Sequence, residues 1–181
     1  MAALPAARGH GCGLTVHWVC ASCGEEHEGL PLDFGFDEPT YWDGGRADDD
    51  FLTSDLCVWT DDDGARSYFV RGILSLPVPE LGERFVYGVW GSLSAESFEQ
   101  LLAHWDDPKR VEDPPYFSWL SNSIPGYPET LSLRSNVITN ALELRPSIML
   151  ADDDDHPLAR EQRTGITVAR VQELAAMLLH A

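Results

Sequence analysis

The chain has 181 residues, of which 44% are hydrophobic and six are tryptophan, and this composition is typical of a single folded domain with a full core. Its net charge of −18 argues against nonspecific binding to nucleic acid or anionic membranes, because both require clustered lysine and arginine. Four cysteines are too few for a disulfide-stapled secreted domain, and no apolar run approaches the roughly 18 residues of a membrane span, so we expect a cytoplasmic protein.

The first 13 residues are rich in alanine and glycine and predict a disordered leader, with residues 14–181 forming one domain. A weakly alternating segment, Leu14 to Val19, predicts a strand that leads into the next feature.

That feature is a Cys-x-x-Cys knuckle, residues 20–27. Cys20 and Cys23 are followed by Gly24 and, four residues after the second cysteine, by His27. Two thiols and an imidazole at this spacing are typical of a structural zinc site, which takes four cysteine or histidine ligands. Cys57, in the predicted strand Leu56 to Thr60, is the best candidate for the fourth ligand. The weaker candidates are His156, His17, Cys12 and His10. The predicted zinc ligands are therefore Cys20, Cys23, His27 and Cys57.

Two other interpretations of the cysteine pair stay open. A redox pair needs a depressed thiol pKa, usually from a helix N-terminus or a nearby cation. Gly24 argues against a helix, and the carboxylates of Glu25, Glu26 and Glu28 favour the thiol over the thiolate while also favouring a divalent cation. Metal binding is therefore preferred over redox chemistry. The remaining interpretation is two partly buried thiols in a turn that bind nothing.

The middle of the chain predicts an antiparallel β-meander. Leu56 to Thr60, Ser67 to Val78 and Phe85 to Trp90 are runs of β-forming residues without an intervening helix of crossover length. Asp61 to Gly64 resembles the start of a calcium loop, but the closing glutamate is missing, so we interpret it as a hairpin turn.

The remaining elements are mostly helices and short strands. Ser94 is expected to cap a helix that ends at Asp106 to Pro108, and two further helices begin at Pro157 and after Thr167. A hairpin through Asn140 is expected between two strands, Thr130 to Thr139 and Leu142 to Leu150, whereas Tyr116 to Leu120 fits either a strand or an aromatic turn. The fold class is α+β, with an antiparallel sheet of about five to seven strands and two or three helices.

Five segments carry a resemblance to a known family. They are CASCGEEHEGLPLDFGF from Cys20, SDLCVW from Ser54, FVYGVWGSLS from Phe85, YFSWLSNSIPGYPETL from Tyr116 and HPLAREQRTGI from His156. Together they resemble an uncharacterised bacterial family, the domain of unknown function numbered twenty-one ninety-nine. The resemblance implies a bacterial, cytosolic, single-domain protein and supplies no activity, substrate or catalytic residue. It groups the four predicted ligands, because all of them fall within the resembling segments, and it leaves Cys12 outside.

Two other side-chain groups were weighed as binding sites. His156, Arg160 and Arg163 could line an anion pocket at a helix start, but a histidine before proline is more often a helix cap. An aromatic groove could be formed by Tyr41, Trp42, Trp90 and Trp119, but large aromatic residues are more often part of the core.

Three functions agree with these features. The first is a non-catalytic, zinc-stabilised domain that binds another protein, and neither nucleic acid nor a membrane. The second is a zinc hydrolase in which Cys20, Cys23 and a third ligand hold a reactive water, with Glu25 or Glu26 as general base. The third is an acidic neutraliser of a basic partner, as in a toxin–immunity pair, which rests on charge alone. The first is preferred because the sequence contains no recognised phosphate-binding or catalytic motif.

Overall fold

A computed structural model of the chain describes residues 17–180 and shows an α+β fold. The predicted leader, residues 1–13, lies outside the described residues, as do the candidate ligands His10 and Cys12. The strands are β1 (His17–Val19), β2 (Glu26–Glu28), β3 (Asp33–Gly35), β4 (Phe51–Leu52), β5 (Leu56–Thr60), β6 (Arg66–Val78), β7 (Glu83–Leu93), β8 (Tyr116–Leu120), β9 (Arg134–Ile138) and β10 (Ser147–Leu150). The helices are α1 (Ala95–Ala103), α2 (Pro157–Thr164) and α3 (Val168–Leu178), with a 3₁₀ helix at Pro108–Glu112.

The long hairpin β6–β7 organises the main sheet. β7, β8, β9 and β10 pair antiparallel in that order, and β10 returns to β6 in parallel, with Ser147 opposite Ile73, so that five strands close into a ring. β5 and β4 extend the sheet beyond β6, and β3 adds to β7 in parallel. Within the described residues the sheet therefore has eight strands and is mixed, which corrects the expectation of five to seven antiparallel strands. The missed strands β3 and β4 are too short to show a period-2 pattern, and parallel pairing between distant segments leaves no local signal.

Side chains along β6 and β7 point alternately to the two faces of the sheet. The main core forms on the face that packs against the helices. Val70, Leu74 and Leu76 of β6 and Phe85 and Tyr87 of β7 are fully buried on this face. The alternation is clearest in the second half of β6, and the strands predicted in this region are confirmed.

The three helices begin and end at recognisable residues. The Ser94 hydroxyl accepts a hydrogen bond from the Ser97 N–H at the start of α1, and Thr167 caps α3 in the same way. α2 begins at Pro157 and ends at Gly165, which has φ 84°. These helices were expected from the sequence, although α1 ends at Ala103 and not at Asp106.

The opposite face of the sheet carries a second, smaller cluster. Cys57, Phe69 and Trp90 are buried there, and the loop that contains Phe36 and Trp42 packs over them. The undecided segment Tyr116–Leu120 is a strand, β8, next to this face. No helix within residues 17–180 has both the length and the apolar character needed to cross a membrane.

Candidate metal centre

A tight turn between β1 and β2 positions the first three donors. The Cys20 N–H donates to the Glu25 carbonyl at 2.9 Å, and the Gly24 N–H donates to the Cys20 carbonyl at 2.8 Å. Gly24 has φ 72°, a conformation that glycine adopts without strain. The turn brings Cys23 back to the second strand, where its Sγ lies 3.4 Å from His27 Nε2.

The fourth donor comes from the other end of the chain. His180 follows α3, and its Nε2 lies 3.4 Å from Cys20 Sγ. The donor atoms of Cys20, Cys23, His27 and His180 all lie within 4.8 Å of one another. In a tetrahedral zinc site, metal–ligand distances of about 2.3 Å to sulfur and about 2.0 Å to nitrogen separate the two donor types by about 3.5 Å. The four side chains could therefore hold a metal ion, and both sulfur–nitrogen distances match a tetrahedral edge.

Hydrogen bonds prepare one of the thiols for metal binding. Cys20 is fully buried, whereas Cys23 and His180 are exposed and His27 is half-buried. Burial alone raises the pKa of the Cys20 thiol, but hydrogen bonds from the backbone N–H groups of Cys23 and Ser22 and contacts with the Cys23 and His180 side chains lower this pKa to about 6. The thiolate, which is the form that binds metals, is therefore favoured at neutral pH, and the expectation that the neighbouring glutamates would favour the thiol is wrong for Cys20.

The knuckle packs against the last turns of α3. Trp18 and Cys20 are buried in one cluster with Ala176, and the Ser22 hydroxyl donates to the Ala176 carbonyl at 3.0 Å. The Trp18 ring stacks on the His27 imidazole with centroids 5.2 Å apart, which fixes the imidazole beside the thiols. The same contacts that bury the knuckle thus bring it to the helix that ends next to His180.

A family model described as "uncharacterized protein conserved in bacteria (DUF2199)" matches residues 19–166. The chain belongs to this family. The match confirms the resemblance expected from the sequence. It includes Cys20, Cys23 and His27 and ends before His180. No curated protein and no solved structure matches the chain.

Of the four ligands predicted for this DUF2199 chain, the structure brings three together and leaves Cys57 apart. Cys57 lies in β5, where it is buried beside Trp90 on the second face of the sheet. Burial, and to a smaller extent the nearby carboxylates of Asp50 and Glu38, raise the pKa of its thiol to about 12. The thiolate that a metal requires is therefore disfavoured, and the side chain lies outside the cluster of donor atoms. His180, not Cys57, is the fourth donor of the cluster.

Sequence reasoning missed His180 because nothing local marks it. Its hydrogen-bond partner Cys20 lies 160 residues earlier, and only the packing of α3 brings the two together. The weaker candidates among the described residues have other roles. His17 lies on β1 beside Glu26, and His156 caps α2, where its Nδ1 accepts a hydrogen bond from the Leu158 N–H at 3.2 Å.

The other groups weighed from the sequence also have their places. Asp61 closes the β5–β6 turn by accepting hydrogen bonds from the Asp63 and Ala65 N–H groups, as expected of a hairpin turn. Arg160 and Arg163 donate to backbone carbonyls around the acidic loop before α2, so both guanidinium groups are engaged there.

The four aromatic residues weighed as a groove divide into two kinds. Trp90 is fully buried and Trp42 is half-buried, as expected of core residues. Tyr41 and Trp119 are 40% and 42% exposed, so the interpretation of these two as core is wrong.

Proposed function

We propose that this chain is a non-catalytic, zinc-stabilised domain that binds another protein. The observation that carries the proposal is the convergence of Cys20, Cys23, His27 and His180 into one cluster of donor atoms. Zinc is the metal that such a set favours, because two thiolates and two imidazoles suit a borderline-soft ion without a geometric preference of its own. Calcium and magnesium prefer oxygen ligands, which the cluster does not contain.

The number of donors supports a structural role over a catalytic one. Structural zinc sites are closed by four protein ligands, whereas catalytic sites keep one position for water or substrate. With His180 as fourth donor, a water activated by Glu25 or Glu26 would have no coordination position to occupy. The hydrolase hypothesis therefore has less support than the structural one.

The arrangement also suggests what the metal would stabilise. Its ligands come from both ends of the described chain, residues 20–27 and residue 180. A metal held by them would tie the β1–β2 hairpin to the end of α3, where otherwise a small apolar cluster and the hydrogen bond from Ser22 to Ala176 join the two. Reduced thiols of this kind fit a cytoplasmic protein, because that compartment keeps cysteines free.

Binding to another protein is supported by the surface. Several large apolar side chains are exposed on the second face of the sheet, and the net charge of −18 provides a field that attracts a basic partner. The same charge supports the exclusion of nucleic acid and anionic membranes as partners.

Metal analysis of the purified protein tests the bracing role. Protein produced with zinc available is expected to contain about one zinc per chain, and less than about 0.2 would overturn the proposal, since a folded structural site normally fills. Cys23→Ser and His180→Ala should each reduce zinc content strongly. Two matched controls, Cys57→Ala and His17→Ala, remove the same residue types outside the cluster and should retain the metal. Loss of zinc from Cys57→Ala alone would restore Cys57 as the ligand.

A further inference from the structure

A groove on the second face of the sheet is lined by aromatic side chains that the metal centre does not use. It has a volume of about 540 Å³, and we call it the aromatic groove. Its walls include Tyr41, Trp59 and Trp119, and the buried ring of Phe69 also lines it. The Tyr41 ring stacks with those of Trp59 and Phe69, each at a centroid distance of 6.4 Å. Exposed aromatic rings grouped in a concave surface are typical of a binding site.

Small residues keep the groove open. Ser92 lies between Phe69 and Trp119 in the strand register, and Ser67 lines the same groove. Serine side chains fill too little volume to bury the neighbouring rings, and the loop on this face forms one wall of the groove through Tyr41 without covering Trp119. On this face of the sheet, large aromatic residues thus alternate with small polar ones. A closed core would need large residues at all of these positions.

The groove continues past Trp119 into a second depression of about 300 Å³. Phe117 lines this part, is 53% exposed, and meets the Trp119 ring edge-on at a centroid distance of 5.1 Å. Ser132 lines the first part and has φ 62°, the one positive φ among non-glycine residues 17–180. Such backbone conformations are concentrated at functional sites. The combined length suits an extended segment better than a single small molecule.

Carboxylates surround the Trp59 end of the groove. Asp61 lines it, and Asp62 follows in the same turn. The Arg46 guanidinium lies 5.9 Å from the centre of the Trp59 ring and forms ion pairs with Asp43 and Asp62. Within the chain, an aromatic ring flanked by carboxylates thus already contacts a guanidinium group, and the rings that remain exposed in the groove, Tyr41 and Trp119, offer the same chemistry to a partner.

We infer that the aromatic groove binds a basic segment of a partner protein, with an arginine or lysine side chain on the exposed rings. This inference rests on the proposed protein-binding function and adds the surface and the partner's chemistry. Aromatic faces attract cations through their quadrupole, and the acidic rim and the net charge of −18 favour a basic partner over a neutral one. A neutral carbohydrate also stacks on such rings, and its hydroxyls can donate to carboxylates, but it gains nothing from the net negative charge of the chain.

Peptide binding to the zinc-loaded full chain tests the inference. The probes are a labelled peptide of alternating arginine and glycine, a serine–glycine peptide of equal length, and a neutral oligosaccharide, all measured by fluorescence anisotropy or calorimetry. We expect the arginine peptide alone to bind, and more weakly at high salt. Trp119→Ala should weaken its binding about 3- to 30-fold, the range of a cation–aromatic contact. Asp61→Asn should weaken it about 3- to 5-fold, the upper part of the range of a surface ion pair. Trp119 is 42% exposed and lies outside the metal cluster, so zinc content should be unchanged by its removal.

Two matched controls make the result specific. Asp155→Asn changes the net charge as Asp61→Asn does, at a fully exposed carboxylate outside the groove, and Phe51→Ala removes another exposed aromatic ring. Both should leave the affinity within about 2-fold. Equal weakening by Asp61→Asn and Asp155→Asn, no effect of Trp119→Ala, or binding of the oligosaccharide alone would each overturn the inference. Zinc content measured on the same samples separates this failure from a failure of the metal centre.

Discussion

Removing the metal should release the knuckle and leave folded the barrel that the closed ring of strands β6 to β10 forms. In the structure, the amides of Cys20 and Gly24 are hydrogen-bonded inside the turn that carries the thiols. Val171 and Leu174, by contrast, anchor α3 to the main core through fully buried side chains. Treatment with a chelator is therefore expected to expose residues 17–30 locally, without a cooperative loss of the whole fold.

The magnitudes show why the metal decides the state of this segment. Ordering the backbone of residues 17–30 costs about 14–28 kcal/mol at 25 °C. Burial of the Trp18 ring, which is 5% exposed, returns about 5 kcal/mol, and the few hydrogen bonds of the hairpin add about 1 kcal/mol each. The remaining deficit is roughly 5–20 kcal/mol, and a structural zinc site contributes about 10–16 kcal/mol, which is of the same order. Without the metal, apolar packing alone is insufficient to keep the knuckle ordered.

Amide hydrogen exchange measures this directly. Chelation should lower the protection of the Cys20 and Gly24 amides by at least about 100-fold, a loss of about 2.7 kcal/mol or more. Amides in the paired centre of β6 and β7, such as that of Leu74, should keep their protection. Cys23→Ser should reproduce the chelated state in the presence of zinc, whereas His17→Ala should behave as the unmodified chain.

Two results would refute this reasoning. Unchanged protection of Cys20 and Gly24 after chelation would mean that packing on α3 holds the knuckle by itself. Loss of protection in β6 and β7 as well would mean that the metal supports the entire fold, which contradicts the independent core of the barrel.

Four further substitutions, one of them a control, have defined outcomes in urea-induced unfolding. Gly72→Ala should lower the free energy of unfolding by about 1–3 kcal/mol, because its Cβ would lie 2.9 Å from the Pro146 carbonyl oxygen. Gly88→Ala, whose Cβ meets its neighbours at 3.5 Å, is the control and should change it by less than about 1 kcal/mol. Arg110→Lys should cost about 2–4 kcal/mol, because the buried guanidinium donates to four backbone carbonyls that one ammonium group cannot reach together; a cost below about 1 kcal/mol would contradict this. Burial raises the pKa of Asp50, but hydrogen bonds from backbone N–H groups and a hydroxyl lower it to about 2. Its stabilisation should be complete above its unfolded pKa of about 3.9 and be lost as the pH falls through about 2, and Asp50→Asn should remove this part of the pH dependence.

The part of the fold that the sequence could predict is the part with local patterns. The apolar face of α1, with Phe98 and Leu101, and the alternation of β6 are visible in a few residues. The pairing of β9 with β10 was also expected, but β10 begins at Ser147 and not at Leu142. The intervening residues form a loop because Arg110 binds their carbonyls, and a distant arginine leaves no trace in the loop's own sequence.

The candidate metal site likewise has some ligands that the local sequence predicts and one that depends on tertiary packing. Cys20, Cys23 and His27 lie within one hairpin, so their spacing alone brings them together. The choice of Cys57 assumed that its strand lies beside the knuckle, whereas its side chain points into the cluster on the second face of the sheet. His180 could be found only from the packing of α3.

The metal centre and the aromatic groove depend on different layers of the molecule. The groove is built on Phe69 and Trp119, which belong to strands of the main sheet. The knuckle is an outer layer that packs on Ala176, and α3 in turn packs on the barrel through Leu174. The groove is therefore supported by the main sheet and not by the knuckle. Release of the knuckle should leave the groove intact. A metal in this position would secure residues 20–27 to the end of α3, whereas the proposed recognition of a partner would depend on the strands.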